Sequence, residues 1–322
     1  MHDCRIDGLR VDSTAFIRNV KGNNDDPEHD LPEGWQLLQQ INSIAHKINP
    51  SALTIAEDIA YNDFITKPVN DGGAGFNCQW ELNFPFALRE VLKNRSPSNE
   101  AISAVADQLV KNFNNDLYER VVYADSHDSA ANGHSRLVES ISPGKTDSLF
   151  ARQQALLAAT LLLCAPGIPM LFQGQELMQG GSFNDWEGLN WKLAERHIGI
   201  VTAFMHLIAL RKNSYGNSRG LSGRNVELHN IDLQNKVIIF RRWDQGGPGD
   251  DTLVVINFSD NSLADYEIKL PHSGIWKVRF NSSWNGYAKD FKNHKVDDIA
   301  AANDSAVINL PPACALIFSE DS

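Results

Sequence analysis

Asp7-Gly8-Leu9-Arg10-Val11-Asp12 is a short apolar run that stops on a carboxylate, and it has two counterparts further along the chain. Thr54-Ile55-Ala56-Glu57-Asp58 is the second, and Tyr123-Ala124-Asp125-Ser126-His127-Asp128 is the third. Each reads as a strand whose last step is acidic. Between them lie patterns of helical period. Leu37, Leu38, Ile41, Ile44, Ala45 and Ile48 recur at spacings of three and four, and Pro50 closes that helix. Residues 86–92, 101–110 and 150–164 are further helix candidates, and 194–211 reads as one amphipathic helix. Residues 52–56, 121–124 and 169–172 are short strand candidates. Strands alternating with helices predict a parallel α/β arrangement. In a parallel (β/α) barrel the C-terminal ends of the strands gather on one face, where active sites sit. Three acids distant in sequence are therefore expected in one pocket.

After about residue 223 the helical patterns stop. Residues 237–240, 253–257, 266–270, 276–280, 306–310 and 315–318 read as short antiparallel strands. Residues 212–223, rich in Gly, Ser and Asn, separate the two regimes. The expected organisation is an α/β part over residues 1–217 and an antiparallel β part over 218–322.

Composition narrows the function. Of 322 residues, 42% are hydrophobic and 21% charged, a globular balance. The formal net charge of −11 disfavours nucleic acid and anionic membranes as partners and suits a neutral substrate. The opening residues, Met1 to Arg5, carry no apolar segment of the kind a secretory signal has. The apolar stretch 155–172 is interrupted by Pro166-Gly167-Ile168-Pro169, so it reads as a buried helix, a turn and a strand rather than a membrane span. Cys4, Cys78, Cys164 and Cys314 are too scattered for a zinc or redox motif and read as free thiols, which favours a reducing, cytoplasmic setting.

Paired carboxylates are the equipment of glycoside chemistry. One ionised carboxylate attacks the anomeric carbon, and one protonated acid gives a proton to the leaving oxygen and then acts as base. A neighbouring arginine keeps the attacking group ionised. Arg10 stands two residues before Asp12, so on a strand both side chains face the same way. Taken singly, an acid after a strand is more often a helix cap or turn residue. Arg10 alone is more often a surface ion-pair partner, and His127 alone a satisfied polar residue. Order and context carry the functional reading.

On these residues the chain resembles the alpha-amylase superfamily of glycoside hydrolases and transglycosylases. The resemblance rests on Asp7–Asp12, Ile55-Ala56-Glu57, Ser126-His127-Asp128 and Pro166-Gly167-Ile168-Pro169-Met170-Leu171-Phe172-Gln173-Gly174-Gln175-Glu176, in the family's order, and extends over nearly the whole chain. It implies a partial (β/α)8 barrel holding strands four to eight, followed by an all-β antiparallel domain. The strand ends are expected at Asp12, at Glu57, near Asn77, near Asp125 and near Phe172. It implies Asp12 as nucleophile, Glu57 as general acid/base and Asp128 as the group that holds sugar hydroxyls in the transition state. Arg10 would orient Asp12, and His127 would bond the same sugar. A retaining mechanism expects the two reacting carboxyls about 5–5.5 Å apart.

The partner so implied is an alpha-glucan (glycogen, starch or a maltooligosaccharide), with no nucleic acid, membrane, organic cofactor or metal. Calcium is common among relatives, but its usual loops belong to the strands not found here. The segment Gly72-Gly73-Ala74-Gly75-Phe76-Asn77-Cys78-Gln79-Trp80 looks most like 1,4-alpha-glucan branching enzymes, whereas Pro166–Met170 is the form familiar from amylases. Phe16 stands where many alpha-amylases have a histidine. Branching-type transglycosylation and alpha-1,4 hydrolysis therefore both stay open, beside an inactive carbohydrate-binding fragment. The glycines also fit a flexible loop, and Trp80 fits either a sugar platform or a core residue. Trp284 and Tyr287 are candidates for glucan contact on the β domain. With three strands lacking, the chain is expected to be an N-terminally truncated piece, poorly stable and inactive alone.

Overall fold

The computed structural model describes residues 5–321; the opening residues and Cys4, whose readings are given above, lie outside the described residues. Five parallel strands follow one another in sheet order: β1 (Gly8–Val11), β2 (Leu53–Ala56), β3 (Cys78–Trp80), β4 (Arg120–Tyr123) and β5 (Ile168–Met170). This is the expected partial barrel. One end differs: β3 starts after Asn77 rather than finishing near it. The Asn77 carboxamide accepts from the Thr54 backbone N–H at 2.7 Å and so works as a clip at the strand's entrance. By contact density the described chain forms two compact units, one of residues up to Leu82 with Lys111–Val122, the other Asn83–Val110 with Tyr123–Ser322.

In the first unit, α1 (Thr14–Arg18) follows β1, and α2 (Pro32–Ile48) follows a polar loop. Pro32 stands in the first turn of α2, where its missing N–H costs no helical bond. The helix buries Leu38, Asn42 and Ala45. Leu38 packs with Ala56, Ile65, Ala74 and Phe76 in the unit's core. At 3.6 residues per turn, Leu37, Ile41, Ile44 and Ile48 fall in a neighbouring strip about 60° wide. Leu37, Ile44 and Ile48 are all at least half exposed. The apolar positions predicted this helix correctly, but the described residues cover only part of its apolar arc. The glycine stretch is packed rather than loose. Ala74 N–H donates to Phe64 O and Phe76 N–H to Ile65 O. A Cβ on Gly73 would sit 2.0 Å from the Lys67 carbonyl oxygen, so that backbone contact needs glycine.

The second unit carries α3 (Asn83–Leu92), α4 (Asn99–Val110), α5 (Leu137–Ile141), α6 (Leu149–Cys164), α7 (Lys192–Arg196) and α8 (Ile198–Arg211). The helix read as continuous over 194–211 is thus two, broken at His197. That residue is buried and lies beside the Asp147 carboxylate. From Ala155 on, α6 is apolar except for Thr160 and buried throughout. Its last carbonyls, which no helical N–H can reach, accept from the guanidinium groups of Arg211 (Leu163 and Ala165) and Arg242 (Cys164). No helix among the described residues is long and apolar enough to cross a membrane.

The rest of this unit is antiparallel. A six-stranded sheet runs β11-β10-β13-β8-β7-β6 and a two-stranded one pairs β12 with β9. The ranges are β6 Asn225–Asp232, β7 Val237–Trp243, β8 Thr252–Asn257, β9 Leu263–Lys269, β10 Gly274–Asn281, β11 Ile299–Ala301, β12 Ser305–Leu310 and β13 Cys314–Ser319. Val255, Leu316, Phe318 and Trp276 from the larger sheet pack on Ile268, Ile308 and Leu310 from the smaller. The sequence reading missed β6, a polar edge strand, and the three-residue β11. Of the two aromatic candidates, Trp284 is partly exposed, but Tyr287 is buried and its hydroxyl meets His206 Nδ1 at 2.8 Å, so Tyr287 is a core residue. Cys78, Cys164 and Cys314 are buried free thiols, as the spacing suggested.

The two faces of α2 give a direct check on this packing. In urea melts of the 322-residue chain, Leu38→Ala is expected to cost about 2–5 kcal/mol. Ile44→Lys is expected to change stability by no more than about 0.5 kcal/mol.

Candidate active site

The register of β1 and β2 builds the site. Val11 pairs with Ala56, so Asp12 and Glu57 are the next residues on adjacent strands. Adjacent strands lie about 4.8 Å apart. The ladder continues past the strand ends, with Glu57 N–H donating to Val11 O and Thr14 N–H to Glu57 O, both at 3.0 Å. Two strands thus deliver two carboxylates side by side.

Arg10 joins them. Its Nη1 donates to Asp12 Oδ1 at 2.8 Å, and its Nη2 lies 2.9 Å from Glu57 Oε2. The second contact is an ion pair whose angle falls outside hydrogen-bonding geometry, since the same nitrogen makes no hydrogen bond to a partner. The guanidinium carbon sits 4.3 Å from the centroid of the Trp80 ring. Trp80 is buried, and its visible work in this unit is to hold the flat face of Arg10, a role that neither sequence reading of it anticipated.

Ser13 completes the arrangement. Its backbone takes the left-handed conformation, with φ 49° and ψ 40°, which is costly for a residue with a side chain. The resulting turn aims its N–H at Glu57 Oε2, 2.8 Å away. Asp12 remains 71% exposed at its side chain while Glu57 is 15% exposed. The Arg10 hydrogen bond, opposed by slight desolvation and helped by the Arg10 charge, holds the Asp12 carboxyl below its usual range. Asp12 is therefore an accessible, ionised carboxylate.

Behind this pair lies an ion pair the sequence reading did not single out. Arg18, at the end of α1, forks onto Asp58, through Nε to Oδ2 at 2.8 Å and Nη2 to Oδ1 at 3.0 Å. Both side chains are buried. The Thr14 hydroxyl also reaches Asp58, and Asn24 ties Arg18 to the Ala60 carbonyl. The segment after Asp12 and the segment after Glu57 are thereby clamped to each other. The available signal was an acid directly after Glu57 and an arginine one helical turn after Thr14.

The second unit supplies the third strand end. Asp125 is buried against Arg89 of α3 and accepts the Leu137 N–H at 2.8 Å. Burial pushes its carboxyl up to about 6, against the pull of Arg89. Arg89 also donates to the carbonyls of Ser129 and Ser135 and to the Ser140 hydroxyl, so it ties the two ends of the 126–137 loop together. On that loop His127 and Asp128 are half exposed, with His127 Nε2 3.3 Å from Asp128 Oδ2. Of the five residues expected from sequence, Arg10, Asp12 and Glu57 thus form one contact group, and His127 and Asp128 another. Among the described residues no group of three or more His, Cys, Asp or Glu could hold a metal ion.

A model of the alpha amylase catalytic domain matches residues 1–212, and one of the alpha amylase C-terminal all-beta domain matches residues 229–321. The chain belongs to the alpha-amylase family. Among relatives of this family, the 1,4-alpha-glucan branching enzyme GlgB of Prochlorococcus marinus (strain MIT 9301) is 28% identical over 98% of this chain and 44% of its own length. That of Oceanobacillus iheyensis is 29% identical over 88% of this chain and 45% of its own. The chain therefore spans less than half the length of these curated relatives. Two solved structures resemble it. The apo pullulanase of Paenibacillus barengoltzii matches with a TM-score of 0.69 and 19% identity, over 98% of this chain and 48% of that one. An alpha-amylase of Geobacillus thermoleovorans complexed with acarbose matches with 0.65 and 15%, over 98% and 60%. These two share the fold.

Breaking the clamp behind the carboxylates is expected to be expensive. Arg18→Met or Asp58→Asn leaves a buried group unpaired, a loss of about 3–5 kcal/mol. The double replacement Arg18→Met/Asp58→Leu is expected to lose less than either single change, read from urea midpoints.

Proposed function

We propose that this chain carries the reacting carboxylates of a retaining alpha-glucan enzyme, and that the reaction is 1,4-alpha-glucan branching. The observation that carries the reading is the single guanidinium shared by Asp12 and Glu57 at neighbouring strand ends. In the proposed reaction the Asp12 carboxylate attacks the anomeric carbon of an alpha-1,4 bond while Glu57, protonated, gives its proton to the departing oxygen. The products of this first step are a β-glucosyl ester on Asp12 and a freed glucan end. Glu57, now a carboxylate, then takes the proton of an incoming glucan hydroxyl, whose oxygen displaces Asp12 and restores the alpha configuration. Arg10 keeps Asp12 ionised for the first step and the leaving carboxylate stabilised in the second. Asp128, with His127, bonds hydroxyls of the sugar.

Branching rather than hydrolysis is favoured by the named function of the relatives above, and by the resemblance of segment 72–80 to branching enzymes. We place the end of the catalytic part at residue 217 and the start of the β domain at 218, between the stretches the two family models match. Three buried unpaired thiols suit a cytoplasmic enzyme.

Incubation of the complete enzyme with amylose separates the outcomes. Branching predicts falling iodine colour with no new reducing ends, and loss of that activity in Asp12→Asn on the order of 10⁴-fold or more. Reducing ends that rise in step with the colour loss would mean hydrolysis. Binding of glucan with no turnover would end the catalytic reading.

A further inference from the structure

The register that joins the two carboxylates also decides what stands beside them. Arg10 pairs with Ile55 and Ile55 with Cys78, so on three successive strands these side chains share one face of the sheet. Two residues further on, the same face carries Asp12, Glu57 and Trp80. Val11, Ala56 and Gln79 point the other way, where Ala56 packs with Leu38 of α2. From β1, the Arg10 side chain therefore reaches over β2, past Glu57, to lie 4.3 Å from the Trp80 ring centroid.

Hydrogen bonds alone leave Arg10 loosely held. Among the described residues its side chain makes one, from Nη1 to Asp12, while Nε and Nη2 are shut off from solvent with no acceptor. A guanidinium meets a single carboxylate best through two parallel N–H bonds. Asp12 is mostly exposed, so its second oxygen is open to such a grip. Turning to take it would carry Arg10 away from Glu57. Contact with a fixed indole face opposes that turn.

The backbone that carries the indole is fixed on both sides. Gln79 N–H donates to Glu119 O at 3.0 Å and Glu81 N–H to Val121 O at 2.9 Å. The Gln79 carboxamide donates to Asn62 O at 3.1 Å. The Glu81 carboxylate is buried and takes the Lys111 ammonium at 3.2 Å. Lys111 in turn lies 3.8 Å from the Tyr61 ring centroid, and its carbonyl accepts from Arg120 at 2.8 Å. A strand of three residues is thus held as firmly as a longer one.

We propose that Trp80 is a positioning residue: its ring face keeps Arg10 spread across Asp12 and Glu57, so that one cation serves both carboxylates. The kinetic consequence rests on the proposed function; the structural one does not.

Two variants separate the ring from its bulk. Trp80→Phe keeps an aromatic face, and Trp80→Met fills similar space with a flexible apolar chain; circular dichroism checks that each folds. In protein labelled with nitrogen-15 arginine, the Arg10 Nε–H order parameter should match rigid backbone in the parent, about 0.85. It should stay high in Trp80→Phe and drop below about 0.6 in Trp80→Met. A mobile Arg10 in the parent would overturn the proposal with no variant needed, as would an equally ordered Arg10 in folded Trp80→Met. In the complete enzyme acting on amylose, kcat is expected to fall roughly 100-fold in Trp80→Met with KM little changed. Trp80→Phe should recover most of that loss. A rise in KM alone would make Trp80 a sugar platform, and equal losses in both variants would make it a core residue; either result ends the positioning role. The two readings fail separately. An Arg10 that loosens in Trp80→Met, in an enzyme that leaves amylose unaltered, keeps the positioning and loses the reaction. An active enzyme whose Arg10 ignores both substitutions does the reverse.

Discussion

One guanidinium organises the candidate site. Arg10 meets Asp12 with one nitrogen and Glu57 with the other, and the Trp80 ring supports its plane. A lysine could not do this, because a single ammonium on a flexible stem lacks the planar fork. Two carboxylates on adjacent strands repel each other when both are ionised. A shared cation relieves that repulsion and holds Asp12 in the charged form. Glu57 is the more buried of the two carboxylates.

The surroundings are built to keep this contact in place. The parallel register sets Asp12 beside Glu57, and the left-handed turn at Ser13 adds an N–H to the Glu57 carboxylate. Behind them Arg18 and Asp58 tie the two following segments together in a dry setting. A buried pair of this kind adds little net stability, but it is costly to break and so resists any other arrangement of its segments. On the second unit Arg89 fixes the loop of His127 and Asp128 in a comparable way, with one arginine gathering two backbone carbonyls. Strand ends supply the acids, and arginines hold the loops that follow.

Much of this was legible in the sequence because it depends on local pattern. Strand ends that finish on acids, the helical spacing from Leu37 to Ile48, and Pro166–Pro169 after an apolar helix all gave the right elements. The motifs also pointed to Arg10, Asp12 and Glu57, which the register brings together. What the sequence hid was long-range or exposed. β6 escaped notice because an edge strand with polar residues on it lacks an apolar run. The break at His197 falls inside a continuous helical pattern, at a residue buried beside Asp147. Trp80 could be read as core or as sugar platform, and only the fold reveals the cation on its face. Arg18 and Asp58 are 40 residues apart, so the acid after Glu57 and the arginine one turn after Thr14 were visible singly but not as a pair.

The account depends on Arg10 setting the charge state of Asp12. Carbon-13 NMR of the labelled Asp12 carboxyl, followed through an acid titration in the parent and in Arg10→Leu, tests that most directly. The account predicts that Asp12 in the parent titrates below the ordinary aspartate value of about 3.9. In Arg10→Leu its midpoint should rise to that value or above it, with Glu57 now an unscreened neighbour. The same midpoint in both proteins would contradict the account.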